Sequence, residues 1–172
     1  FQEYCTALLF IMKADPSISK NALIELTRTI ETNIQNFSPE FIQFLCSEFM
    51  ELYYNLSDSD HLRLLASTFI KLYEIVGSNW EKFPSVFEPN PPKMPFQIEL
   101  LLHLFRSFTK FGGMIIENAG NFAEFLLFGL REGSWDMKVK CIQMISQLAA
   151  IDSTLLAPHI EIILAMIQQS NQ

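Results

Sequence analysis

The sequence predicts an all-α chain, arranged as a right-handed α-solenoid of about four antiparallel helix pairs. Three observations carry this expectation. Apolar residues recur at spacings of three and four almost throughout the 172 residues, and alternating β-branched runs bounded by turns are missing. Hairpins begin near residues 1, 38, 95 and 134, at intervals of 37, 57 and 39. The long interval holds a 17-residue proline-rich connection, without which it shortens to 40, so a period of about 37–40 residues runs along the chain. Finally, the helix expected at 95–111 is apolar over about 240° of its circumference, which calls for neighbours on both sides. Interior helices of a stack have such neighbours; a globule of five or more helices is the competing arrangement.

The first helix covers about residues 1–14 and stops at Asp15-Pro16. The second, about 17–36, carries the apolar stripe Ala22, Leu23, Leu26, Ile30, Ile34 and Phe37. Ser38 as N-cap, Pro39 in the first turn and Glu40 at the positive dipole end open the third, which runs to about Leu56. Ser57 and Asp60 have the spacing of a capping box before a fourth helix that ends near Val76, with Gly77 as its stop. The connection 78–94 holds four of the eight prolines. Next come helices at about 95–111, between Pro95 and Gly112-Gly113, and at 114–132 with a break near Gly120. Gly133 leads to Ser134, the cap of a helix at 135–151, and a last helix covers about 154–169.

At 49% apolar and 18% charged residues, disorder is excluded as the general state. Twelve Lys and Arg against nineteen Asp and Glu give a net charge of −7, so a phosphate backbone is repelled and no direct nucleic-acid binding is expected. Cys5, Cys46 and Cys141 sit in apolar helical patterns, and reduced core thiols in a cytoplasmic or nuclear protein are the expectation. Lys13, Glu25, Glu48, Glu99 and Glu161 interrupt every stretch approaching the roughly 18 apolar residues of a membrane span, so no membrane insertion is expected. The chain opens on Phe1 inside a helical pattern, and residues 1–172 read as a single helical-repeat segment of a larger protein.

Phe125-Leu126-Leu127-Phe128-Gly129-Leu130, a short turn and Asp136-Met137-Lys138-Val139-Lys140 resemble the HEAT repeat, whose second helix opens with Asp, two variable residues, Val and a basic residue. Asp136 suits the helix start, Val139 is expected to pack inward, and Lys140 falls one turn from Asp136. Leu155-Leu156-Ala157-Pro158-His159-Ile160-Glu161-Ile162-Ile163-Leu164 is similar to the proline-bearing first helix of the next unit, so the motif match covers about residues 122–165. The Phe-rich, acidic character and Leu64-Leu65-Ala66-Ser67-Thr68-Phe69-Ile70-Lys71-Leu72-Tyr73-Glu74 look similar to nuclear transport receptors of the importin-β and exportin group. That resemblance implies cargo and a small GTPase on an acidic inner face, and Phe-Gly nucleoporin segments outside.

No Gly-x-x-x-x-Gly-Lys, Gly-x-Ser-x-Gly or His-Glu-x-x-His occurs. Glu99 and His103 read as an exposed i,i+4 pair rather than metal ligands, and the cysteines as packing rather than nucleophiles. No catalytic, cofactor-binding or metal residue is expected, and the chain reads as a non-enzymatic scaffold. An enzyme would need an unrecognised site joining His103 or a cysteine to a carboxylate.

Between Arg28 and Arg63 there is no Lys or Arg, while Glu31, Glu40, Glu48, Glu51, Asp58 and Asp60 supply six acids. On a helical wheel Glu40, Glu48, Glu51 and Asn55 lie within about 80°, with Phe44 inside the same arc and Asp58 just beyond the helix. A ring among carboxylates suits a protein partner with a basic or mixed basic and apolar segment. The competing expectation is that Phe44 packs on an adjacent helix and the acids form a solvated face. A second candidate is the 78–94 connection. Its Trp80, Phe83, Val86 and Phe87 either fold back as a hydrophobic lid or form an exposed binding arm. Trp135 is expected to seal a repeat junction. A purely structural spacer or assembly subunit is the alternative to a binding scaffold.

Overall fold

The computed structural model describes residues 1–52, 58–77, 80 and 82–170, with backbone alone at positions 18, 84, 155, 159, 162 and 170. The described residues form an all-α chain with no strand among them. Its α-helices are α1 (Gln2–Ala14), α2 (Ser19–Asn33), α3 (Pro39–Leu52), α4 (Ser59–Val76), α5 (Met94–Arg106), α6 (Phe108–Glu117), α7 (Ala119–Glu132), α8 (Trp135–Ile151) and α9 (Ile160–Ser170). The chain divides into two compact units, Phe1–Val86 and Phe87–Gln172, and the division falls within the predicted connection.

In the first unit α1 packs on α2 and α3, and α4 packs on α2 and α3. The turn between α1 and α2 is held by Asp15, whose carboxylate accepts from the Ser17 backbone N–H at 2.9 Å and from its hydroxyl at 2.6 Å. With so short a connection, two packed helices run antiparallel. Buried Ser19 donates to the Met12 carbonyl at 3.1 Å and fastens α2 to the end of α1. As expected, Ser38 Oγ accepts from the Phe41 N–H, at 3.2 Å, at the start of α3. The expected capping residue Ser57 and the expected helix end at Leu56 lie outside the described residues. Asp58 is the N-cap of α4 and accepts from the Asp60 N–H at 2.8 Å. Gly77 ends α4 with φ of 54°, a left-handed conformation that any side chain would strain. Between the helices, Met12, Leu23, Leu26, Ile30, Leu45, Cys46, Phe49, Leu65, Phe69 and Leu72 are sealed from solvent.

In the second unit α5 packs on α6 and α8, and α7 packs on α6, α8 and α9. Two expectations from the sequence are corrected here, and the break near Gly120 is met within two residues. The helix expected at 95–111 breaks at Ser107, whose N–H is shared between the His103 and Leu104 carbonyls at 3.2 and 3.1 Å. Gly112-Gly113, expected as its stop, lies inside α6. Glycine costs a helix interior only about 1 kcal/mol each, and at Gly112 a Cβ would stand 3.2 Å from the Phe108 ring, so the missing side chain leaves room for that ring. The break expected near Gly120 falls at Asn118, whose side-chain amide and backbone N–H both donate to the Met114 carbonyl, at 2.9 and 3.0 Å. Finally, the stretch expected to start a helix at 154 begins as two 3-10 turns, Ser153–Leu155 and Ala157–His159, before α9 opens at Ile160. Pro158 lies in the second turn, where its missing N–H is tolerated.

The connection 78–94 is not structureless where described. It forms 3-10 turns at Phe83–Phe87 and Pro91–Lys93, and Gln97 of α5 donates to the Glu88 carbonyl at 2.8 Å. Ser78, Asn79 and Glu81 lie outside the described residues.

Candidate functional site

Helix α3 carries the candidate surface. Ile42, Leu45, Cys46, Phe49 and Leu52 are buried, the arc that the helical wheel assigns to packing. On the other side, Glu40 and Glu51 are exposed, Glu48 is half-buried, and Phe44 keeps 40% of its surface in solvent. Phe44 stacks on half-buried Phe41 with ring centroids 5.7 Å apart and planes at 29°, and Phe41 meets buried Phe37 edge-on at 5.2 Å. Three rings thus run from the core to the surface. The i,i+3 spacing of Phe41 and Phe44 places the two rings on neighbouring positions of the helix and was the sequence signal for their contact.

The acids are more neutralised than their local sequence suggests. Glu48 forms an ion pair with Lys13 of α1, and Glu31 one with Lys71 of α4. Asp60 lies 3.5 Å from Arg63. Asp58 is engaged as the α4 cap, and its second oxygen is 3.8 Å from His61 Nδ1. Glu40 has no ion-pair partner among the described residues. Asn55, the remaining member of the expected arc, lies outside the described residues.

Trp80, Phe83 and Phe87 are core residues, each 5% exposed or less. Trp80 meets Phe69 of α4 edge-on at 5.5 Å, and Phe83 stacks on Tyr73 of α4 at 3.9 Å. Phe87 packs edge-on against Phe122 and Phe125 of α7, at 5.0 and 6.0 Å. The aromatic connection therefore folds back, two rings into the first unit and one into the second, and presents none of these three as an exposed arm. The gain from burying apolar area outweighs leaving such rings in water.

Three other side chains are placed differently from the sequence reading. Glu99 is 4% exposed, not part of a wet stripe, and pairs at 3.3 Å with Lys140 of α8, which also reaches Asp136 at 3.1 Å. A carboxylate in the interior is tolerated when a cation accompanies it. Trp135 is 61% exposed and Val139 37%, so neither is packed inward. Cys5, Cys46 and Cys141 are free and buried; desolvation raises the Cys5 thiol and pushes those of Cys46 and Cys141 up to about 12. A thiol held protonated in this way is a poor nucleophile and a poor metal ligand. Among the described residues, no three His, Cys, Asp or Glu side chains gather as a metal site, and no helix is long and apolar enough to cross a membrane. Compared with protein-family models, curated proteins and solved structures, the chain matches none of them.

Proposed function

We propose that this chain is a non-enzymatic protein-binding scaffold whose α3 surface docks a partner segment carrying basic and apolar side chains. The observation that carries the reading is the aromatic ladder ending in solvent-exposed Phe44, with exposed Glu40 and Glu51 on the same helix. The ring supplies contact area, and the carboxylates orient a cationic segment. In this reading the helices stack as a right-handed α-solenoid of about four antiparallel pairs. The first unit supports it: the α1–α2 and α3–α4 pairs lie layer on layer, α1 against α3 and α2 against α4, as successive repeats do. Preformed helices lower the ordering entropy that opposes binding. The three free thiols suit a reducing cytoplasmic or nuclear setting, and cargo recognition in nuclear transport is one role such a surface would serve.

The pairing of Glu48 with Lys13 and of Glu31 with Lys71 favours a second reading, a structural spacer whose acids hold its own helices together. The two readings part on one experiment. A synthetic peptide with alternating Lys and Leu is titrated against the full chain and its Phe44→Ala and Glu40→Lys variants. A docking surface loses about tenfold in affinity in either variant with the melting temperature nearly unchanged. A spacer shows no peptide affinity that these substitutions alter. Glu48 is left intact in this test, because reversing it would set two cations against each other on α1 and α3.

A further inference from the structure

The second unit carries an apolar groove that neither the fold nor the α3 surface uses. It is a cavity of about 280 Å³ between the end of α7, the first half of α8 and the end of α9. Its lining includes Leu130, Trp135, Val139, Ile142, Met166 and Gln169. Trp135, Val139 and Ile142 fall at i, i+4 and i+7 of α8 and make one continuous ridge; Trp135 leaves 61% of its surface in water.

Among the described residues one charged side chain lines this groove, Lys138. It is half-buried on the same face of α8, and it makes no ion pair among the described residues. The other lysine of this helix, Lys140, is held by both Asp136 and Glu99, so the nearby carboxylates on α8 and α5 are already engaged. A half-buried lysine with no counter-charge among the described residues is the feature an anionic group on an incoming ligand would satisfy.

The size of the cavity narrows the class of ligand. Small-molecule sites occupy roughly 300–1,000 Å³ and bury most of their ligand; this groove lies at the bottom of that range and has room for one or two apolar side chains. A helix of a partner lies into such a groove by ridge-in-groove packing, with its apolar residues anchored and its polar face outside.

We propose that the α7–α8–α9 groove docks an acidic amphipathic helix of a partner protein, with an apolar side chain in the cavity and a carboxylate about one turn away paired to Lys138. This site is independent of the α3 surface, which takes a partner of opposite charge.

The test uses the full chain and a panel of fluorescein-labelled helical peptides with Leu at i, i+4 and i+7. Each has a single Glu at a varied flanking position, and each has a counterpart with Lys in place of that Glu. Binding is read by anisotropy, self-association by sedimentation, and folding by circular dichroism. The proposal expects at least one Glu peptide to bind more tightly than its Lys counterpart. It also expects Lys138→Glu to weaken that peptide about tenfold and reverse the preference, and Trp135→Ala to weaken both, with melting unchanged. Lys138→Gln reads the charge alone, so the proposal stays testable if Trp135→Ala disturbs the fold. Three results would overturn it: Glu and Lys peptides that behave alike across the panel, a preference that survives Lys138→Glu and Lys138→Gln, or a dimer of the chain that covers Trp135 and is dissociated by Trp135→Ala.

Discussion

Replacing Gly129 with alanine probes a close approach between two helices of the second unit. A Cβ at this position would stand 2.6 Å from the Cys141 sulfur and 3.1 Å from the Met94 methyl. The methyl is the tip of a flexible chain and can move, but Cys141 is 0% exposed and lies on α8, so relief requires α7 and α8 to separate. Two effects oppose each other. Alanine in a helix interior is favoured over glycine by about 1 kcal/mol, while forcing a methyl into a filled core costs about 1–3 kcal/mol. With the contact this short the upper part of that range applies, and the net expectation for Gly129→Ala is a loss of about 1–2 kcal/mol. Urea unfolding followed by helical circular dichroism measures it. Cys141→Ala supplies the decisive comparison, because removing the sulfur opens the space that the new methyl needs. The double variant should then be more stable than the sum of the two single effects by about 1 kcal/mol or more. Gly129→Ala more stable than the parent chain, or additivity within about 0.3 kcal/mol, would refute the close-approach argument.

Phe83→Ala should destabilise the first unit by about 3–5 kcal/mol in the same assay, as expected for a buried ring, since Phe83 is 5% exposed and stacked on Tyr73; an unchanged midpoint would return the connection to the status of an exposed arm. With Cys46 and Cys141 pushed up to about 12 by burial, an aromatic disulfide reagent at pH 8 should label them only at the rate at which the chain opens. Prompt labelling of either in the native chain would contradict their placement. Hydrogen bonds from Ser17 and Thr154 hold the Asp15 and Asp152 carboxyls below the ordinary aspartate value. A lowered folded-state value contributes stability above the unfolded pKa and loses it as the pH falls through the folded one. Asp15→Ala and Asp152→Ala should therefore lower the melting temperature at pH 7 and lose their effect in the acid range below about pH 4. An effect that is constant across that range would show that the turn, not the charge, is responsible.

Much of the helix pattern was readable from the chain itself, and the examples share a cause. Ser38 and Ser134 cap α3 and α8 by accepting from the N–H three residues on, at 3.2 and 3.4 Å, a bond that needs nothing outside one turn. Ile42, Leu45, Cys46, Phe49 and Leu52 fall on one arc because of the 100° step of the helix, and that arc is the buried one. Elsewhere a local signal misleads. Two adjacent glycines mark the expected end of a helix, yet the chain breaks at Ser107 and runs through Gly112-Gly113. A penalty of about 1 kcal/mol per glycine is easily overridden by packing.

The candidate site was harder to read for a different reason. Glu31 and Glu48 sit in a stretch without Lys or Arg, but Lys71 and Lys13 reach them from other helices. Glu99 looked solvated on its own wheel and is buried because α8 brings Lys140 to it. Trp80, Phe83 and Phe87 could have been an arm or a lid, and contacts with Phe69, Tyr73 and Phe122 place them inside. Helical periodicity and caps depend on groups within a turn of each other, so the amino-acid order alone specifies them. Which charges are neutralised, which rings are covered and where a groove remains open depend on side chains far apart in the chain, and these meet only once the helices have packed.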